Sequence, residues 1–223
     1  MLKAGFADAM LGGLELTYPE TIRPALQIIG RKESQSLVMG MYIFLSKNGP
    51  YFLADTTVNK NPTAEQIIEI TLQAAEVVKG FNIEPHIALL SYSNFGSNVG
   101  DGPDKMKKAA AYLHQNHPEL IVDGEIQANF ALNDELLSAR FPFSKLPGKP
   151  VNTLLFPNLS SGNITYKILQ AMGESKVIGP ILNGLKMPVH ILQLGSSVEE
   201  IVDMIIVAVN DAIKTEEEAS KTF

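Results

Sequence analysis

The sequence predicts an α/β fold, a three-layer α/β/α arrangement with a largely parallel sheet, and three observations predict it. Short apolar runs alternate with stretches of helical period along most of the chain. Gly- and Pro-rich turns separate them. At two places a strand candidate runs into a loop of small residues and then a helix start, where open α/β sheets hold ligands and where free backbone N–H groups favour an anion.

Composition narrows the function classes. At 223 residues with 45% hydrophobic content, the chain has room for one large domain or two smaller ones. A net charge of −6, with an acidic run only at Glu216–Glu218, argues against a nucleic-acid or anionic-membrane surface. No cysteine is present, which removes disulfides, thiolate metal sites and a Cys nucleophile. No apolar run reaches the roughly 18 residues of a membrane helix, and no signal-peptide layout opens the chain, so a soluble, cytoplasmic protein is expected.

Taken in order, residues 7–11 read as a short buried strand ended by Gly12 and Gly13, and 17–21 as a turn. Pro19 or Pro24 then suits a first helical turn, followed by Ile22, Ala25, Leu26 and Ile29 at helical spacing. Arg23 is the only charge in that helix and, read alone, is a solvated arginine. Residues 37–54 give two β-rich runs around Lys47-Asn48-Gly49-Pro50, a hairpin signal. Asp55 closes the second. Thr63 and Gln66 occupy capping-box positions before a stripe of Ile67, Ile68, Thr71, Ala75 and Val78, which Gly80 ends.

His86–Leu90 is a buried-strand candidate leading into SYSNFGSNVGDGPD, either a ligand loop or a flexible crossover, and a helix over 105–116 follows. After a short strand at 120–123, Asp123, Glu125 and Gln127 alternate. Acid/base or metal work is conceivable there, but a DG turn and a solvated strand end is the simpler reading. His114 and His117 are three apart, but Pro118 breaks their helix, so no metal site is assigned. Residues 142–150 read as a linker, 152–156 as a strand, and 162–172 as a helix with Ile164, Ile168 and Met172 on one face.

Val189–Leu192 is the next strand. Gln193, Leu194, Gly195 and Ser196 form its loop, and Ser197 with Glu200 fits a capping box. Val198, Ile201, Val202, Ile205, Ile206 and Val209 give the last helix a wide apolar stripe that calls for a large packing partner. The charged tail after Lys214 is expected to fray.

Several stretches resemble the phosphate acetyl/butyryltransferase family: TYPETIRPALQIIG, YFLADTTVNKNPTAEQIIEIT, ALLSYSNFGS, DGEIQANFAL, LLFPNLSSGNITYKILQ and GPILNGLKMPVHIL. The resemblance covers nearly the whole chain in order. It implies two α/β subdomains flanking a cleft where coenzyme A and acetyl phosphate meet, as in the phosphotransacetylase and isocitrate dehydrogenase-like folds. Residues 1–34 and 179–223 would be a remnant of the first domain, and 35–178 the second. Arg23 matches a basic residue the enzymes use at the cleft.

The departures carry as much meaning. Where active phosphotransacetylases read PVNDLSRG this chain reads PVHILQLG, so their Ser and Arg become Gln193 and Leu194, and their following aspartate becomes Glu200. An arginine position is Ala171, and the lysine of their SFSTKGS loop is Phe95. Phosphoryl chemistry needs cationic donors that Leu194, Ala171 and Phe95 lack. The SNFGS, PVHIL and DTxVN variants resemble the phosphotransacetylase-like C-terminal region of bacterial NADP-dependent malic enzymes.

That resemblance implies a catalytically inactive regulatory region with no cofactor of its own. It would bind acetyl-CoA as effector through Arg23, Asn94, Gly96, Ser97, Gln193, Leu194, Gly195 and Ser196, and help the protein oligomerise. NADP and a divalent metal would belong to a malic domain of the same polypeptide. Two alternatives stay open: an active phosphate acetyltransferase with Glu200 as base and Lys186, His190 or Arg23 supplying charge, and an oligomerisation scaffold alone.

Overall fold

The computed structural model describes residues 1–32, 36–172 and 176–221. In chain order the elements are β1 (Met10–Gly13), α1 (Tyr18–Ile28), β2 (Met39–Ser46), β3 (Gly49–Ala54), α2 (Ala64–Lys79), β4 (His86–Leu90), α3 (Asp101–Asn116) and β5 (Ile121–Ile126). Then come α4 (Ala128–Ala131), α5 (Asp134–Arg140), β6 (Thr153–Leu155), α6 (Leu159–Met172), β7 (Lys176–Asn183), β8 (Val189–Leu192) and α7 (Val198–Lys221). Two compact units result, Met1–Gly40 with Ile178–Phe223, and Met41–Val177. The expected boundary between residues 34 and 35 lies outside the described residues.

In the larger unit the strands follow the order β5-β4-β6-β3-β2. Three of the four pairings are parallel, and the β2–β3 hairpin is antiparallel with Ser46 opposite Gly49. Its turn holds because Ser46 Oγ donates to the Gly49 carbonyl at 2.9 Å and accepts from Asn48 N–H at 3.0 Å. The capping box of α2 forms as its residues dictate, with Gln66 N–H donating to Thr63 Oγ1 and Thr63 N–H to Gln66 Oε1. Ile67, Ile70, Ala74 and Val78 then bury against the sheet and α3. α3 begins at Asp101, a turn earlier than the periodicity suggests. On α6, Tyr166 is buried and stacks on Tyr42 with ring centroids 4.0 Å apart, while Ile164, Ile168 and Met172 are exposed.

The smaller unit pairs β1 with β8 in parallel, Met10 opposite Val189 and Gly13 opposite Leu192. The strand is therefore Met10–Gly13 rather than 7–11, with both glycines paired in it and Gly13 as its last residue, and it is exposed to half-buried rather than buried. A β-carbon on Gly13 would sit 2.4 Å from the Leu192 carbonyl oxygen at φ +116°, so only glycine allows that approach. Residues 17–21 are a helix start and not a turn, because Thr17 and Glu20 form a capping box with Pro19 in the first turn. α7 runs to Lys221, through the tail expected to fray, and a side-chain box of Ser197 and Glu200 marks its start. Met204, Val207 and Ala208 are its buried face, whereas Val198, Val202, Ile205, Ile206, Val209 and Ile213 are exposed. The wide stripe thus has only part of the expected packing partner. Among the described residues, no helix is long and apolar enough to cross a membrane.

Candidate functional site

The loop between β4 and α3 is built from beneath by β5. Glu125 is 1% exposed, and its Oε1 accepts from Ser93 Oγ at 3.0 Å and from the N–H of Gly96. Its carbonyl accepts the Phe95 N–H at 2.8 Å, and Gln127 ties into the loop by donating its N–H to Asn94 Oδ1 at 2.8 Å and its Nε2 to the Tyr92 carbonyl at 2.7 Å. Ser97 Oγ accepts from Asn94 N–H at 2.9 Å and lies 3.2 Å from Ser93 Oγ. These bonds hold Phe95 at φ +47° and Gly96 at φ +90°. Glu125 Oε2 is buried and has no hydrogen-bond partner among the described residues.

The alternating carboxylates are therefore not a turn and a solvated strand end. Asp123 is 5% exposed: Oδ2 accepts from Ser144 Oγ at 2.8 Å and Lys145 N–H at 2.9 Å, and Oδ1 accepts from Gly124 N–H at 2.9 Å. Residues 142–150 are consequently packed against β5, with Leu146 fully buried, and are no linker. His114 Nε2 faces the Val122 carbonyl at 2.8 Å and Asp123 Oδ1 at 3.4 Å, and His117 lies 3.5 Å from Glu119. Among the described residues no three His, Asp or Glu side chains converge to hold a metal ion.

Phe95, at the lysine position of the SFSTKGS loop, turns into an aromatic cluster. Its ring centroid is 5.0 Å from that of Phe141 and 5.1 Å from that of Phe143, and Phe130 lies 5.1 Å from Phe141. A cation nonetheless reaches this loop from α3: Lys107 Nζ lies 3.6 Å from where a β-carbon on Gly96 would stand. Sequence reasoning missed Lys107, one of two exposed lysines on α3, because only the fold brings it near Gly96.

In the smaller unit, Arg23 is exposed on α1 beside Glu20. The Thr17 hydroxyl and backbone N–H, with the Arg23 charge, hold the Glu20 carboxyl below its ordinary value. After β8, Ser196 N–H closes a turn onto the Gln193 carbonyl at 3.2 Å with Gly195 at φ +80°. Leu194 is 62% exposed. Glu200 Oε2 accepts the Ser197 N–H at 2.7 Å, so a carboxylate of the chain itself already sits at the positive end of α7. His190 is fully buried, with Nδ1 accepting from Leu182 N–H at 3.2 Å and Nε2 3.1 Å from Asp211 Oδ2. Lys186 is exposed. Arg23 and Gln193, Leu194, Gly195 and Ser196 thus belong to one unit, and Asn94, Gly96 and Ser97 to the other.

Comparison with known proteins shows what this arrangement is similar to. A family model described as phosphate acetyl/butaryl transferase matches residues 1–209. The chain is 39% identical over 218 residues to the NADP-dependent malic enzyme of Haemophilus influenzae, covering 98% of this chain and 28% of that protein. It is 35% identical over 218 residues to the phosphate acetyltransferase of Clostridium acetobutylicum, covering 95% of this chain and 65% of that protein. A phosphotransacetylase structure from Streptococcus pyogenes superposes with a TM-score of 0.89 at 40% identity, over 96% of this chain and 65% of that one. The chain therefore spans less than two thirds of the length of each.

Proposed function

The chain belongs to the phosphate acetyl/butyryltransferase family, and from that membership we propose that it is a catalytically silent, effector-binding region of an NADP-dependent malic enzyme. The effector is acetyl-CoA. A malic domain of the same cytoplasmic polypeptide, with NADP and a divalent metal, oxidatively decarboxylates malate, and acetyl-CoA binding here shifts that domain between two states.

One observation carries the loss of catalysis: Glu200, which stands for the catalytic aspartate, is held by the N-terminal backbone of its own helix. A carboxylate engaged as a cap does not reach out to deprotonate a thiol. Leu194 offers no charge at the adjacent position, and Ala171 and Phe95 offer none at theirs. Loss of a single preorganised donor lowers rates by about a hundredfold or more, so three such losses leave no useful turnover.

Oligomerisation is part of the proposal, supported by the exposed apolar side chains of α7, which water disfavours. Acetyl phosphate formation from acetyl-CoA and phosphate is expected to stay at background. Measurable turnover abolished by Glu200→Gln would establish the active acetyltransferase instead. Full-length enzyme whose malate oxidation ignores saturating acetyl-CoA would overturn the regulatory reading.

A further inference from the structure

A cavity of about 80 Å³ opens in the larger unit between α4, α5, the start of β3 and the segment leading into β6. Because β4 and β6 run parallel, this is the end of the sheet opposite the β4–α3 loop. Its floor is apolar. Ala131, Leu137 and Val151 line it and are all buried, so a hydrocarbon chain placed on them leaves water. An apolar cavity of about 150 Å³ takes a benzene ring, and the smaller volume here suits an aliphatic chain of about three or four carbons.

The rim carries opposite charges that do not meet. Asp134 and Lys149 both line the cavity, yet they form no ion pair with each other, and among the described residues neither has a charged partner elsewhere. A zwitterion bridges such a gap, its carboxylate meeting the ammonium and its own ammonium the carboxylate.

The rim is also held in place. Asn133 Oδ1 accepts the Leu136 N–H at 3.0 Å and fixes the start of α5, where Asp134 stands. Asp134 Oδ1 accepts the Gly148 N–H at 2.7 Å, which leaves Oδ2 for a ligand and fastens the turn that carries Lys149. The Lys149 N–H donates in turn to the carbonyl of the fully buried Leu146 at 2.9 Å. Backbone anchored in this way has little freedom left to lose when a ligand arrives.

We infer that this cavity binds a free aliphatic α-amino acid of valine or leucine size, with Lys149 on its carboxylate, Asp134 on its ammonium and its side chain on the apolar floor. The site lies wholly within the larger unit and does not depend on the acetyl-CoA reading.

Calorimetry on the full chain with L-valine and L-leucine tests it, with isovalerate and isobutylamine as probes that each lack one charge of valine. At least one of the two amino acids is expected to bind saturably, and each single-charge probe about tenfold more weakly. Lys149→Gln weakens the amino acid and leaves isobutylamine unchanged. Asp134→Asn, which keeps an acceptor for Gly148, weakens the amino acid and leaves isovalerate unchanged. Both side chains are exposed, so the variants are expected to fold, and the single-charge probes on wild type decide the ligand class without them. Absence of saturable binding by both amino acids at millimolar concentration overturns the site. Binding that neither substitution alters overturns it too, as does isovalerate binding as tightly as L-valine, which would remove Asp134 from recognition.

Discussion

At the scale of single residues, Glu125 is the side chain on which the candidate loop depends. Its Oε1 satisfies the Ser93 hydroxyl and the Gly96 N–H together. Glu125→Ala leaves the Gly96 N–H without this acceptor and the Ser93 hydroxyl with only its longer contacts to Ser97 Oγ and the Asn98 carbonyl, a loss of about 1–3 kcal/mol with the small void included. Glu125→Gln keeps an acceptor in place and is expected to lose less than half as much, which urea unfolding of the two variants would measure. Glu20 makes a second, pH-dependent prediction. Its folded pKa is depressed below 4.5, first by the Thr17 hydroxyl, so its contribution is present above that value and is lost as pH falls through the lower folded one. Wild type therefore loses its advantage over Glu20→Gln on acidification, as followed by circular dichroism. The alternation of Asp123 and Glu125 was visible in the sequence, but their burial was not. Their partners Ser144 and Ser93 lie 21 and 32 residues away, and neither serine carries a local signal.

At the scale of elements, signals within four residues were legible. The Thr63–Gln66 box and Ser197–Glu200 box mark the starts of α2 and α7 where they were read. Long-range approach was not legible. Gly12-Gly13 looks like a strand breaker until β8 lies against it, and helix propensity alone gives no hint of why Gly162 is glycine. Alanine there gains about 1 kcal/mol in helix propensity. Its β-carbon, however, would stand 2.6 Å from the Asp55 carbonyl oxygen and 3.2 Å from Phe156. Relieving contact with backbone costs about 1–3 kcal/mol, and the carbonyl cannot rotate away as a side chain could. Gly162→Ala is expected to lower the thermal midpoint, and an increase would show that α6 shifts freely on β3.

At the scale of the whole molecule, the largely parallel sheet and the family were legible because alternation and motif order run through the entire chain, whereas the order of the strands was not. What escaped was coverage. The apolar stripe of α7 calls for a large packing partner, yet Val198, Val202, Ile205, Ile206 and Val209 of that stripe are exposed, as is Ile213 beyond it. Periodicity reports that a face is apolar and says nothing of whether this chain supplies its cover. Sedimentation velocity is expected to show concentration-dependent association, weakened by Ile206→Glu together with Val209→Glu. A strictly monomeric wild type would refute it.

The pairing of β1 with β8 also sets an order of events. Met10 waits for Val189, and between them lies a unit that is continuous in sequence, 41–177. On a ribosome that unit can condense as soon as it emerges, while β1 remains unpaired until β8 has been made. A two-stranded sheet closed between such distant segments is expected to open more readily than the larger sheet. The backbone amides of β1 and β8 are therefore expected to exchange with solvent faster than those of β4 and β5.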